Sequence, residues 1–350
     1  MKKKSIIIFG IIIFLANNTY GIDKRPHDIT ELALYKGADR QRILEEGAKK
    51  EGKLTFYTSG ILTQAVRPVV DAFEKKYPFI KVEIWRASTV ALTSRAVEEF
   101  KAGKHLLDVM EGTQTNMLIL QEMGIAIPFF SPQFAFLEEE ALTMAPTGGA
   151  YAAAFRTSGI GFGYNTKLLP REELPRTYQD LTNPKWKGKL AVAGSDTGIN
   201  WAACIYHNYG EDLLKKIAAQ GFAVHMVSGQ AMLDMVINGE YVASPTIFDS
   251  HVFGSRKKGA PVAWVPLEPV RVNIGQVAIA KHAPHPHAAL LFADFELSKE
   301  SAEIHRSVGY DNFRKDVPPI DQRYKKYFGK NTMADIKKEH ELFNRFFVKK

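Results

Sequence analysis

The amino-acid sequence predicts an α/β protein built as two lobes, and three observations carry that prediction. The chain has 350 residues, more than a single hydrophobic core usually serves. Short apolar strands alternate with polar turns and helical stretches, the grammar of an open, largely parallel sheet. Two extended stretches, 151–163 and 270–280, interrupt that grammar and divide it into halves. A hydrophobic content of 45% with 24% charged residues suits a folded domain and excludes a disordered or coiled-coil chain.

The chain opens with Lys2, Lys3 and Lys4, an apolar run over residues 6–16, and small residues at Thr19 and Gly21. That order predicts a secretory signal peptide over residues 1–21, cleaved near Gly21. The apolar run falls short of the ~20 residues a spanning helix needs. Residues 39–50 then place Ile43, Leu44 and Ala48 at helical spacing, with Gly52 as the stop. Residues 54–57 read as a strand, 64–77 as a helix and 80–85 as a second strand. The pattern repeats as helix 91–102, strand 108–110 and helix 116–123. It resumes after the first interruption with strands at 189–193, 222–227, 241–243 and 261–265. Helices are expected after residue 198, over 231–238 and over 285–297, with a charged helical tail from 302. The first extended stretch reads as two short strands, 152–155 and 160–165, joined through a flexible centre.

Function is concentrated where strands end. Five strand ends run into short polar turns that open helices: 58–60, 88–89, 112–114, 195–198 and 228–230. The first N–H groups of a helix have no internal partner, and the helix dipole adds positive potential there. Such turns bind anions, and in an open sheet they gather along one edge. Each run also fits an ordinary helix cap. The first-lobe candidates are Thr58, Ser59, Ser88, Thr89, Thr113 and Gln114; the second-lobe candidates are Arg156, Ser158, Thr197 and Thr246. Arg156 would pair with the anion through two N–H groups, or serve as a surface or inter-lobe arginine. Trp201 and Phe248 would pack on an organic body, or simply belong to the core.

Enzyme chemistry lacks the motifs it needs. Ser195 in Gly194-Ser195-Asp196-Thr197-Gly198 does not have nucleophile-elbow spacing, and neither a phosphate loop nor a dinucleotide fingerprint is present. His282, His285 and His287 read as solvated loop histidines, and Cys204 as a packed small hydrophobe. The net charge of +8 is spread evenly and falls to +5 without the three early lysines. Nucleic acid is therefore not an expected partner.

The motifs in order resemble a known family. They are residues 51–59 (EGKLTFYTS), 77–82 (YPFIKV), 161–166 (GFGYNT), 186–190 (WKGKL) and 285–289 (HPHAA). They resemble the family 1 extracellular solute-binding proteins of ABC importers, in the ferric-iron-binding-like branch. The resemblance implies a type II periplasmic-binding-protein fold, with two α/β lobes joined by two crossing strands. Its expected boundaries are 22–155 for the first lobe, 156–269 for the second, and 270–350 for the return to the first lobe plus C-terminal helices. It further implies a periplasmic monomer without a cofactor that delivers a small solute to a membrane permease. The expected ligand is a phosphate ester, phosphonate or carboxylate. The alternative is ferric iron held by Glu111, His251 and a synergistic anion. Ferric-binding relatives carry an adjacent tyrosine pair in this region, and the matching stretch here, residues 245–251 (PTIFDSH), contains none.

Overall fold

The computed structural model describes residues 26, 28–320, 324–329 and 332–348; the predicted signal peptide lies outside them. In chain order the first lobe is laid down as α1 (Ile29–Leu34), α2 (Arg40–Glu51), β1 (Lys53–Thr58), α3 (Arg67–Lys76), β2 (Lys81–Arg86), α4 (Thr89–Lys101), β3 (Val109–Thr113), α5 (Gln114–Glu122), β4 (Ala126–Ile127) and β5 (Leu142–Met144). The long strand β6 (Ala150–Asn165) leads into β7 (Ala191–Ala193), α6 (Asp196–Tyr209), α7 (Glu211–Ala218), β8 (Ala223–His225), α8 (Gly229–Ile237), β9 (Ala243–Phe248), α9 (Asp249–Lys257) and β10 (Val262–Val265). Strand β11 (Val270–Ala280) returns, followed by α10 (Pro286–Glu296), α11 (Lys299–Ser307), β12 (Lys326–Tyr327) and α12 (Met333–Phe343).

Hydrophobic burial divides along the same line. Phe56, Phe73, Phe292 and Phe295 anchor one core, with ring centroids 4.7–5.6 Å apart. Phe162, Trp186, Trp201 and Ile205 anchor another. Phe343 and Phe347 close that second core, with Phe347 edge-on to Trp201. The last helix, α12, thus leaves the first lobe and packs on α6 of the second.

Strands β6 and β11 pair antiparallel from Ala153–Val277 to Ile160–Arg271 and join the two halves. One end of β6 lies beside β5 in the first lobe and the other lies between β9 and β10 in the second, so one continuous sheet runs through both halves. The expected pair of short strands with a flexible centre is instead one unbroken 16-residue strand. Its glycines are there for close packing. A Cβ at Gly161 would lie 2.5 Å from the Trp264 ring, and one at Gly163 would lie 2.6 Å from the Ile247 side chain.

The histidines near α10 also depart from expectation. His285 Nδ1 lies 2.8 Å from Asp108 Oδ2, and His287 Nδ1 lies 2.6 Å from Glu51 Oε1. Both carboxylates come from far away in sequence and tie α10 to β3 and α2. Cys204 is buried, and burial pushes its thiol up to about 11, so it is inert.

Candidate functional site

In the first lobe β2, β1 and β3 run parallel, so Thr58, Arg86 and Thr113 end on one edge. The turn after β1 points N–H groups at that edge, as an anion cradle would. The cradle is filled by Glu111 from β3. Its Oε2 accepts hydrogen bonds from Thr58 Oγ1 (2.7 Å), Ser59 N (2.8 Å), Gly60 N (3.1 Å) and Ser59 Oγ (3.3 Å). Its Oε1 accepts from Arg156 Nη2. Both side chains are buried: Glu111 is 2% exposed and Arg156 is 7% exposed. Burial pushes the Glu111 carboxyl up, but Arg156 and the cradle donors outweigh it and hold it below the ordinary carboxylate range. It is therefore an ion at neutral pH.

In the second lobe β7 and β8 are parallel, and a bridge from Leu190 to Ala243 sets β9 alongside. The starts of α6, α8 and α9 consequently share one edge. Crossing strand β6 brings Ser158 to that edge two residues beyond Arg156. Ser158 Oγ donates to Asp249 Oδ1 (2.7 Å) and sits 2.6 Å from Ser250 Oγ. Gly159 N and Tyr324 Oη also donate to the Asp249 carboxylate, at 3.0 and 3.2 Å. Burial raises the Asp249 carboxyl to about 6, and these donors only partly offset it. His251 beside it is pushed down to about 4, chiefly by burial and further by the Arg156 charge, so it is neutral at pH 7. The Arg156 guanidinium lies 5.0 Å from the Tyr310 ring. The edges of both lobes therefore converge on residues 156–159 of β6.

The sequence-derived candidates divide. Thr58, Ser59, Arg156 and Ser158 form the polar centre. Thr113 caps α5 reciprocally with Asn116, and Gln114 opens that helix with a buried Oε1 that lacks a partner. Ser88 is the N-cap of α4, exposed and bonded to Ala91 N, and the Thr89 carbonyl accepts from Thr93 Oγ1. Thr197 lies in the first turn of α6 behind Ser195, whose buried Oγ has no partner. Phe248 stands edge-on to the His251 ring, at 4.9 Å.

Two candidates are corrected. Trp201 is 0% exposed and packs in the second core, because it lies a full turn below the start of α6. Thr246 is fully buried, and its Oγ1 accepts from Ala193 N at 3.0 Å, fastening β9 to β7. Residues that sequence reasoning missed are Asp249, Ser250, Tyr310, Tyr324 and Gln64. Gln64 reaches from the first lobe, donating to the Val308 carbonyl and packing on Gly254 of α9. Glu111 was anticipated only as a metal ligand, whereas both its oxygens are engaged by protein donors.

Comparison with known proteins supplies the family. The profile of the bacterial extracellular solute-binding proteins matches residues 118–327. The chain belongs to that family. An uncharacterized protein of Haemophilus influenzae is 27% identical to this solute-binding protein over 270 residues, covering 73% of this chain and 76% of its own. The periplasmic binding protein AfuA from Actinobacillus pleuropneumoniae, solved with fructose-6-phosphate bound, superposes with a TM-score of 0.73 at 23% identity. That match covers 85% of this chain and 99% of AfuA. Iron-bound HitA from Pseudomonas aeruginosa superposes with a TM-score of 0.70 at 20% identity, covering 83% and 97%. The fold is that of the type II periplasmic binding proteins. As a solute-binding protein of an ABC importer, the chain takes a small ligand and works with a membrane permease. Among the described residues no helix is long and apolar enough to cross a membrane.

Proposed function

We propose that this solute-binding protein captures a small organic anion, a phosphate ester, phosphonate or carboxylate, between its lobes. It delivers that anion to the permease as a periplasmic monomer that catalyses no reaction and carries no cofactor. The signal sequence ending near Gly21 directs it there. One observation carries the reading: the start of α5 lies beside Arg156 across Gly275 of β11, and the start of α9 is bonded to Ser158 and Gly159 just beyond it on β6. A ligand that touches both edges favours the closed arrangement, because only differential affinity shifts such an equilibrium. The fructose-6-phosphate in AfuA supports an anionic ligand on this fold.

Iron is the second reading, favoured by the iron in HitA. The residues here fit it poorly. Arg156 stands beside both Glu111 and His251, and its positive charge opposes a trivalent cation. Burial raises Tyr310, which keeps it a neutral phenol at pH 7. Among the described residues no cluster of three His, Cys, Asp or Glu side chains is placed to hold a metal ion.

Thermal denaturation with fructose 6-phosphate, a methylphosphonate, gluconate and ferric citrate tests both readings. Binding the folded state raises Tm, by roughly 2.7 kcal/mol of stability at a hundredfold excess over Kd. A shift with one of the anions supports the first reading. A shift only with iron, with a visible charge-transfer band, overturns it.

A further inference from the structure

The lobes also touch one another directly, beside the crossing strands. Helix α9 packs on α8, β9 and β10 in the second lobe, while α11 packs on α3 and α10 in the first. Phe253, Gly254 and Lys257 share roughly 100° of the α9 surface. That face meets the end of α11 and the turn after β1. Lys257 Nζ donates to the Ser307 carbonyl at 2.8 Å. Gln64, in the turn over residues 62–66, donates to the Val308 carbonyl at 3.1 Å. Its Nε2 also rests against Gly254, where a Cβ would lie 2.6 Å away. Phe253 covers Gly309, where a Cβ would lie 2.7 Å from the ring. We propose that this face of α9 is a clasp that holds the lobes together before a solute arrives, so that the ligand-free protein is mostly closed.

The chemistry on the two sides is complementary. The last carbonyls of a helix have no internal partner and carry the negative end of its dipole. Ser307 is the last residue of α11, so its carbonyl suits an ammonium group from the other lobe. The same Lys257 Nζ lies 4.6 Å from the centre of the Phe253 ring, which helps to order both side chains. Gly309 has a φ of +96° and no side chain, so the ring can lie against its backbone. On the opposite side of α9, Val252 is buried in the second lobe, which fixes the direction the clasp face points.

The contact depends on the lobes being closed. Helix α9 is rooted at the pivot, where Asp249 accepts from Ser158 Oγ and Gly159 N of β6. Lys257 lies about two turns further on, roughly 12 Å along the axis. A hinge rotation of about 15° moves that point by roughly 3 Å, enough to break its hydrogen bond. Gln64 follows the end of β1 on the edge that faces the second lobe, so its contact with Gly254 spans the gap. Losing the Lys257 bond, the Gln64 contact and the cover over Gly309 shifts the equilibrium at least about tenfold toward the open form. The clasp thus leaves less of the closure for a solute to drive, whatever that solute is.

Small-angle X-ray scattering on the full mature protein without ligand tests this. The wild-type curve is expected to match the one calculated from the closed structure. The triple variant Gln64→Ala, Phe253→Ala and Lys257→Ala removes every clasp side chain. It should show a larger radius of gyration with an unchanged far-UV circular dichroism spectrum. If that variant folds poorly, Lys257→Glu replaces it. Position 257 is exposed, and a carboxylate there faces the negative end of α11, so this variant should open the lobes as well. A wild type already more extended than the structure overturns the inference. So does a folded clasp variant as compact as the wild type. Both results leave the anion-binding reading standing, because that reading is decided by the thermal shifts with added anions.

Discussion

Replacing Arg156 with methionine tests the energetics of the site most severely. The guanidinium is 7% exposed and Glu111 is 2% exposed, so the substitution strands a buried carboxylate. Breaking one side of a buried pair costs about 3–5 kcal/mol. Four remaining donors on Glu111 Oε2 soften that, which places the expected loss near the lower end, about 3 kcal/mol. The pH dependence carries a sharper signature. In the wild type Glu111 titrates below the ~4.3 of an unfolded glutamate. Its contribution is therefore present above that value and is lost as pH falls through the lower, folded one. Without Arg156 the burial effect dominates and the folded carboxyl rises above ~4.3. The slope then reverses, and the variant loses stability as pH rises from about 4 toward neutrality. Urea unfolding followed by tryptophan fluorescence at pH 4.5 and 7.5 measures both quantities. A loss under about 1 kcal/mol, equal at the two pH values, would refute the reasoning, since it would leave Glu111 and Arg156 uncoupled.

Three further outcomes are expected. Asp249 titrates near 6 in the folded protein against about 3.9 unfolded, so it opposes folding as pH rises through that interval. Asp249→Asn should add roughly 1–2 kcal/mol at pH 7.5, a gain that shrinks toward pH 4. Urea midpoints at the two pH values check it. Gly161→Ala puts a methyl group 2.5 Å from the Trp264 ring and should cost about 1–3 kcal/mol by overpacking, with a lowered Tm as the readout. Behind the Glu111–Arg156 pair a cavity of about 10 Å³ is lined by Thr58, Glu296 and His305, and His305 Nδ1 there has no partner. That is about one water's worth of space, and a high-resolution crystal structure should show a single ordered water bonded to His305 Nδ1.

Much of the scaffold was legible because its signals are local. Apolar runs ending in Thr58-Ser59-Gly60, Gly112-Thr113-Gln114 and Ser228-Gly229-Gln230 announce strand, turn and helix without tertiary information. The polar residues at 156–158 misled, since side chains that bond to Glu111 and Asp249 from within a strand look the same in sequence as those of a flexible turn. The site was only half legible. Thr58, Ser59, Arg156 and Ser158 stand beside turn or crossing signals, and the structure brings them together. Glu111 meets Arg156 across 45 residues, and His285 meets Asp108 across 177, separations at which composition and spacing carry no pairing information. Trp201 and Thr246 failed for a different reason. Both lie within a few residues of a ligand-facing turn, but helix and strand geometry aims their side chains inward.

The account stands on one anion touching the helix starts of both lobes at once. Hydrogen–deuterium exchange on the full mature protein, with and without the anion that gives the largest thermal shift, measures this most directly. Amides at 113–116 in the first lobe, and at 195–198 and 229–231 in the second, should slow together on addition of that anion. Slowing in one lobe only, or at neither, would contradict the account.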